Sequence, residues 1–377
     1  MLSPGFNSND EPDNLLDDAV KVVIQYDNAS PSLLQRRLSI GYARAARIMD
    51  QLQNAGVVSM PEGSRPRTVL ISSYEEFLKT NKKKDRQTGE TEKYSSIPKN
   101  YKTPEDIKLS LSPQSSWGMS LSEAIGSKDF KNFISRYPVL LGHDNEGKLR
   151  IVNLTDMNSL IIVGNPLSTK EVWVDTILAT LLIKCSPTEI RLVLIDGNHH
   201  LDFYDGIPHL LTPVITDFNK RASAFRWTVY EMERRLKLFS SKGVRNMDDY
   251  NKLSKDDALP KILLICFCDW TDVETTDAMI QITNMASKTG IHLVVVTNRL
   301  SDKNLSPDIK ANIPSRSVFT VTNAHDSRLA GVNRAEHLRD GEMLYKWDND
   351  DPIKLMTIYT SDKNVKEVVE AVKCSAR

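Results

Sequence analysis

Apolar residues recur at two different periods along this chain, and the change of period divides it. Between Leu15 and Asp27, the residues Leu15, Leu16, Ala19, Val22, Val23 and Tyr26 fall at helical spacing and predict a first helix. Ser30 followed by Pro31 is an N-cap with proline at the first helical position, which opens a second, short helix, SPSLLQRRLS. A third helical pattern, Tyr42, Ala45, Ala46, Ile48, Met49 and Leu52, runs to Gly56, a natural C-cap. VVSM, the turn PEGSRPR and TVLI then read as a two-stranded hairpin. Three helices and a hairpin over residues 12–72 predict a winged helix-turn-helix.

Residues 73–118 change character. KTNKKKDRQTGETEKYSS is charged and almost free of large aliphatics, so this stretch is expected to be a flexible polar linker. Over 119–377 the period changes again. LIIVG (160–164), RLVLID (191–196), ILLICF (262–267), IHLVVVT (291–297) and VFTV (318–321) are near-continuous apolar runs separated by amphipathic segments. That alternation predicts an α/β domain with a mainly parallel sheet covered on both faces. Met232, Leu236 and Phe239 of EMERRLKLF sit at helical spacing and predict a core-facing helix.

Composition adds limits. At 377 residues the chain is too long for one ordinary core. Forty-nine basic residues balance forty-nine acidic ones, so attraction to nucleic acid has to come from local clustering. No apolar run approaches the roughly 18 residues that span a bilayer, and MLSPGFNSNDEPDN has no secretory pattern, so no membrane contact and a cytoplasmic location are expected. Cys185, Cys266, Cys268 and Cys374 lack metal-ligand spacing and read as reduced thiols, so no metal site is expected from them. His199 and His200 are adjacent, point apart on an extended segment, and make a poor ligand pair.

The clustering lies in the winged helix. From Ser30 to Ile71 stand six basic residues, Arg36, Arg37, Arg44, Arg47, Arg65 and Arg67, against two acidic ones, Asp50 and Glu62. In a helix-turn-helix the second helix enters the major groove, which here is the helix opening at Tyr42, with Arg44 and Arg47 near the end that reaches base edges. Arg36 and Arg37 from the preceding helix and Arg65 and Arg67 from the wing would hold phosphates. The same arginines also suit a solvated face, and a winged helix also mediates protein contacts; the clustering favours double-stranded DNA.

The string ASPSLLQRRLSIGYARAARIMDQLQNAGVVSMPEGSRPRTVLI resembles the gamma domain of FtsK/SpoIIIE DNA translocases nearly end to end. The resemblance implies reading of short oriented DNA sequences. One departure matters: the family commonly has Asn or a similar polar residue where this chain has Ala43, and alanine cannot make the bidentate bonds that read adenine. Residues 119–360 resemble the RecA-like P-loop motor of the same family, through SPTEIRLVLID, YDGIPHLLTPVITDF, YEMERRLKLF, KTGIHLVVVTNR and IKANIPSRSVFTV. In the translocases gamma follows the motor; here it precedes it.

The resemblance also locates the chemistry that would bind ATP and Mg²⁺. A P-loop needs glycines to wrap phosphates, a lysine for the β/γ-phosphates and a hydroxyl on Mg²⁺. This chain reads GNPLSTKE. Gly164 and Lys170 remain, but Leu167 and Thr169 stand where glycines are expected, Pro166 restricts the loop, and Glu171 replaces the hydroxyl. ILLICFCDW places Cys268 and Asp269 where the family has an Asp-Glu pair, and a neutral thiol is no Mg²⁺ ligand; in a register shifted by one, Asp269 becomes the ligand and Trp270 takes the catalytic place. Asn298 stands for the family's glutamine in TQR, and Arg299, Arg316 and Arg328 match positions where family arginines serve subunit contacts or the neighbouring nucleotide, or stand here as plain interface charges.

The expectation is a double-stranded-DNA-binding protein with an inactive motor, acting as a regulator, adaptor or structural subunit. The alternative is an unconventional ATP-driven translocase in which Glu171 and Asp269 hold the metal, acting in segregation or transfer of chromosomal or mobile-element DNA. In either case the resemblance implies a ring of like subunits or an assembly with an active FtsK-like motor.

Overall fold

The computed structural model describes residues 15–26, 29–54, 57–59, 67–69, 101–111, 117–165, 167–268, 273–301, 305–348 and 350–375. The chain divides into two compact units, Met1–Ser95 and Ser96–Arg377.

Among the described residues the first unit holds three helices, α1 (Leu16–Tyr26), α2 (Pro31–Leu38) and α3 (Tyr42–Asn54). Asp17 and Asp18 sit in the first turn of α1, where the helix dipole favours negative charge. Ser30 caps α2 by accepting the Leu33 N–H at 3.3 Å, and Ser39 ends that helix in the left-handed region, at φ 54°. Ala19, Val20 and Val23 pack with Leu34 and with Ala45, Ile48, Met49 and Leu52 of α3 into one core. Antiparallel bridges join Val58 to Val69 and Ala29 to Arg67, so the wing pairs with the entry to α2 as well as with itself.

The second unit is built on a nine-stranded sheet. Its strands are β1 (Pro138–His143), β2 (Leu149–Asn153), β3 (Leu160–Val163), β4 (Ile190–Ile195), β5 (Lys261–Phe267), β6 (Ile291–Thr297), β7 (Ser315–Val318), β8 (Glu342–Trp347) and β9 (Ile353–Met356). The order is β2-β1-β9-β8-β7-β3-β6-β5-β4. From β7 to β4 the pairs are parallel; β8, β9, β1 and β2 extend the β7 side by antiparallel pairs. The longer helices of this unit are α4 (Leu167–Lys184), α5 (Phe218–Ser241), α6 (Val273–Thr289) and α7 (Asp362–Cys374). Alternate residues of each central strand enter opposite cores, Leu160 and Ile162 one and Ile161 and Val163 the other, as a strand covered on both faces requires. On α5, Met232 and Phe239 are buried as expected, and the buried Arg235 donates to Glu231 and to the Thr289 carbonyl, both at 2.8 Å.

Two expectations need correction. The strand read at 318–321 lies at Ser315–Val318; Ser315 at its start and Ser317 within it are buried, and small polar side chains hid it from a reading based on apolar runs. Residues 101–111, read as part of the linker, pack against the second unit. Ile107 and Leu109 join its core, Tyr101 meets His209 edge-on at 5.6 Å, and Glu105 pairs with Arg136 at 2.7 Å. Glu367 of α7 accepts the backbone N–H of Ser110 at 2.8 Å and also the Ser110 hydroxyl. Residues 73–100 lie outside the described residues. Among the described residues no helix is long and apolar enough to cross a membrane.

Glu367→Ala removes both acceptors of Ser110. Amide hydrogen exchange is expected to quicken across residues 107–111, with a loss of about 1–2 kcal/mol in global stability.

Candidate functional site

The first unit presents the N-terminal part of α3. Tyr42 is 63% exposed, Ala43 and Arg47 are exposed, and Arg44 is half-buried, while Ala45, Ile48, Met49 and Leu52 turn inward. Arg37 and Arg36 are exposed on α2; the Arg37 guanidinium lies 4.4 Å from the centre of the Tyr26 ring, and Arg36 Nε donates to the Ser32 carbonyl. Arg67 behaves differently from the other expected DNA ligands. Its guanidinium donates to the Met49 carbonyl at 3.0 Å, to Gln53 Oε1 at 2.9 Å and to Asp50 at 2.9 Å. It binds the wing to α3, and its side chain is 15% exposed. Arg65 lies outside the described residues.

In the second unit the loop after β3 leads into α4. At Gly164 φ is 152°, and a Cβ there would lie 2.5 Å from Phe319 Cβ. The glycine thus permits close approach of the chain beyond β7. Asn165 donates its N–H to the Thr320 carbonyl at 2.5 Å, which holds the loop to that neighbour. Lys170 is fully buried, and its ammonium donates to the Gly164 carbonyl and to Asn298 Oδ1 at 2.6 Å. The lysine therefore ties its own loop to the end of β6. Of Thr169, the backbone alone is described, within α4.

Glu171 and Asp175 are one helical turn apart on α4 and meet His200. His200 Nε2 is 3.1 Å from Asp175 Oδ2, and Nδ1 is 3.6 Å from Glu171 Oε2. Tyr204 donates its hydroxyl to Asp175 Oδ1 at 2.8 Å. Burial disfavours the charged imidazole, but the Asp175 and Glu171 carboxylates outweigh it and lift the His200 pKa above its ordinary value. Burial raises the Glu171 carboxyl above the usual range, Asp196 and Asp175 add to this, and His200 opposes it. Asp196, at the end of β4, accepts the N–H groups of Asn198 at 2.8 Å and Leu201 at 3.0 Å, which shapes the turn that delivers His200. His200, Asp175 and Tyr204 were not expected at this site. The i,i+4 pair of carboxylates after the loop was the available signal, and the neighbouring His199, exposed and paired with Asp202, obscured it.

Cys268 continues β5 by donating its N–H to the Val296 carbonyl at 2.8 Å, and it is buried. A contact with the Cys268 thiol, and then burial, push the Cys266 thiol pKa well up, so the Cys266 thiol stays protonated. Asp269 lies outside the described residues. Among the expected interface arginines, Arg316 is turned inward and donates to the carbonyls of Ala330 at 3.2 Å and Lys310 at 3.0 Å, which removes it from a surface role. Arg299 pairs with Asp326 at 2.7 Å with its side chain 52% exposed, and Arg328 is exposed.

These residues do not fit Mg²⁺-ATP. The lysine that would meet phosphate is engaged with its own loop, and a carboxylate held by a histidine stands where a hydroxyl would hold the metal. Among the described residues no group of three or more His, Cys, Asp or Glu side chains is placed to hold a metal ion.

In a working P-loop the lysine faces the nucleotide, and its removal leaves the fold unchanged. Here Lys170→Ala is expected to cost about 2–3 kcal/mol, a drop of roughly 5–10 °C in Tm read by calorimetry. His200 has a folded pKa raised above its ordinary 6.5, so its pairing stabilises fully below that value and is lost as pH rises through the folded pKa. Glu171, also raised, acts with the same sign from lower pH. Thermal melts at pH 5.5–8.5 should therefore show the stability advantage of the natural chain over His200→Gln shrinking as pH increases.

The FtsK/SpoIIIE family profile matches residues 120–268, and that of the Ftsk gamma domain matches residues 10–72. The chain is 38% identical over 263 residues to a DNA translocase FtsK of Caldanaerobacter subterraneus, covering 67% of this chain and 37% of the relative. It is 35% identical over 286 residues to a DNA translocase FtsK of Pseudomonas aeruginosa, covering 67% of this chain and 35% of that one. The chain thus spans about a third of the length of these relatives. The conjugation coupling protein TcpA of pCW3, with ATPγS, shares the fold at a TM-score of 0.55 and 17% identity, over 88% of this chain and 87% of that one. The cytoplasmic domain of the type VII secretion ATPase EccC of Thermomonospora curvata does so at 0.56 and 17%, over 73% and 33%. With an Ftsk gamma domain matched at residues 10–72 and an FtsK/SpoIIIE segment at residues 120–268, the chain is a relative of the FtsK/SpoIIIE proteins.

Proposed function

We propose that this chain binds double-stranded DNA through α3 and does not use ATP, so that it serves as a DNA-bound regulator, adaptor or structural subunit. The observation that carries this reading is the Lys170 ammonium, buried and engaged by Gly164 and Asn298. A phosphate would have to displace both acceptors and approach Glu171, which repels it. Arg47 and Tyr42, exposed at the start of α3, supply a cation and an aromatic face at the end that reaches base edges. Arg36 and Arg37 on α2 supply phosphate contacts, and Arg67 positions the wing. With Ala43 in place of a polar reader, the preferred sequence differs from the family's. Arg299 and Arg328 remain as subunit contacts for a ring or a mixed assembly. The relatives named DNA translocases support a role on DNA, and the same proposal puts that role in the cytoplasm with no membrane partner.

The purified chain with Mg²⁺ should show no DNA-stimulated ATP hydrolysis and no micromolar binding of a labelled ATP analogue; hydrolysis abolished by Lys170→Ala would overturn this reading. In a duplex-binding titration Arg47→Ala should weaken affinity by about 1–3 kcal/mol without lowering Tm. Arg67→Ala should lower the stability of the first unit, by about 1–3 kcal/mol.

A further inference from the structure

On the β4 edge of the sheet lies a cavity of about 380 Å³ that the nucleotide-site reading leaves unused. Val193 of β4 forms part of its lining, Leu211, Thr212 and Ile215 line it from the segment that runs beside β4, and α5 contributes Lys220, Ser223, Ala224 and Trp227. That segment is hydrogen-bonded along the strand, Leu211 N–H to the Leu192 carbonyl and Ile215 N–H to the Leu194 carbonyl, both at 2.9 Å, so this lining is built into the fold.

The outer face of α5 continues from the cavity. Lys220, Trp227 and Arg234 recur at intervals of seven, as do Ser223, Tyr230 and Lys237, so all six share one face of the helix. Trp227 is 39% and Tyr230 50% exposed, unusual for rings this large on a helix whose other face is buried in the core. Lys220, Arg226, Arg234 and Lys237 are exposed around them, against Glu233; the whole helix carries six basic and two acidic residues in a chain whose charges balance. Arg234 is partly neutralised by Glu231 at 2.6 Å and Arg226 donates to the Ser223 hydroxyl at 2.9 Å, so Lys220 and Lys237 mark the two ends of the positive rim. A seven-residue stripe of aromatics between cations is the surface that receives another helix, and the cavity is sized for one large side chain from it.

We propose that the outer face of α5 docks an acidic amphipathic segment of a partner protein, which inserts one large apolar side chain into the cavity beside Trp227. Its carboxylates meet Lys220 and Lys237. From Lys220 to Lys237 the stripe measures about 25 Å, the length of a helix of roughly 17 residues. A single-stranded nucleic acid stacked on Trp227 and Tyr230 would use the rings and the cations but has no need of the cavity.

The test is to pan a display library of random 18-residue peptides on the full chain. Enriched peptides are expected to carry several Asp or Glu residues about a fixed Leu, Phe or Trp. A resynthesised, fluorescein-labelled peptide should bind with an affinity that falls at least tenfold in Ser223→Trp, which fills the cavity from an exposed position, and in Lys220→Glu. Duplex DNA binding should be unchanged in both variants. No enrichment, enriched peptides without acidic residues, or binding indifferent to both variants would overturn the proposal. So would a 20-nucleotide single strand that binds more tightly than the peptide and is lost in the same variants. Dissociation of a self-assembled oligomer by Ser223→Trp, seen in sedimentation, would assign the face to a second copy instead. None of these outcomes bears on ATP use, so the proposal and the inactive-motor reading stand or fall separately.

Discussion

One buried ammonium fixes the local geometry of the motor-like unit. Lys170 cannot lie in an apolar interior without acceptors, because an unpaired buried charge is far more costly than the hydrogen bonds it makes. The chain meets that demand with the Gly164 carbonyl, at the mouth of the loop, and with Asn298, just past β6. The parallel strands β3 and β6 and the start of α4 are thereby tied at the edge where this fold places its chemistry. What in a nucleotide-binding relative is a vacancy for phosphate is here a closed contact within the protein.

Around that contact the other substitutions are consistent with one another. Once the lysine is engaged, the hydroxyl after it has no metal to hold, and Glu171 is instead balanced by His200 and shares that histidine with Asp175. Asp196 spends its oxygens on the backbone of the turn that carries His200. Cys268, buried, continues β5 with a thiol. Among the described residues these polar groups are paired to one another.

The central strands were legible in the sequence because each is buried on both faces and so reads as an unbroken apolar run. β7 was read too late, since Ser315 and Ser317 fill the space beneath their neighbours without apolar bulk. The antiparallel extension was missed altogether, because β2 and β9 are short and partly exposed and their periodicity is weak. In the winged helix the periodic face of α3 was plain, but the sequence could not separate Arg67 from Arg47. One arginine is committed to the Met49 carbonyl and the other stands outward, a difference that depends on where the wing folds back. His200 was hidden for a similar reason: its carboxylate partners are some 25 residues earlier, and only the turn after β4 brings them together.

The segment over 101–111 has a mechanical consequence. Any pull on the chain from the residues that precede it reaches the sheet through this strap. Tyr101 against His209 and the ion pairs of Glu105 lie first in line, and the two bonds from Ser110 to Glu367 lie behind them. Force applied along the strap therefore passes into α7 and from there into α4, the helix that begins at the Lys170 loop. A tether anchored in this way hands tension to two elements at once, the sheet core through Ile107 and Leu109 and α7 through Glu367.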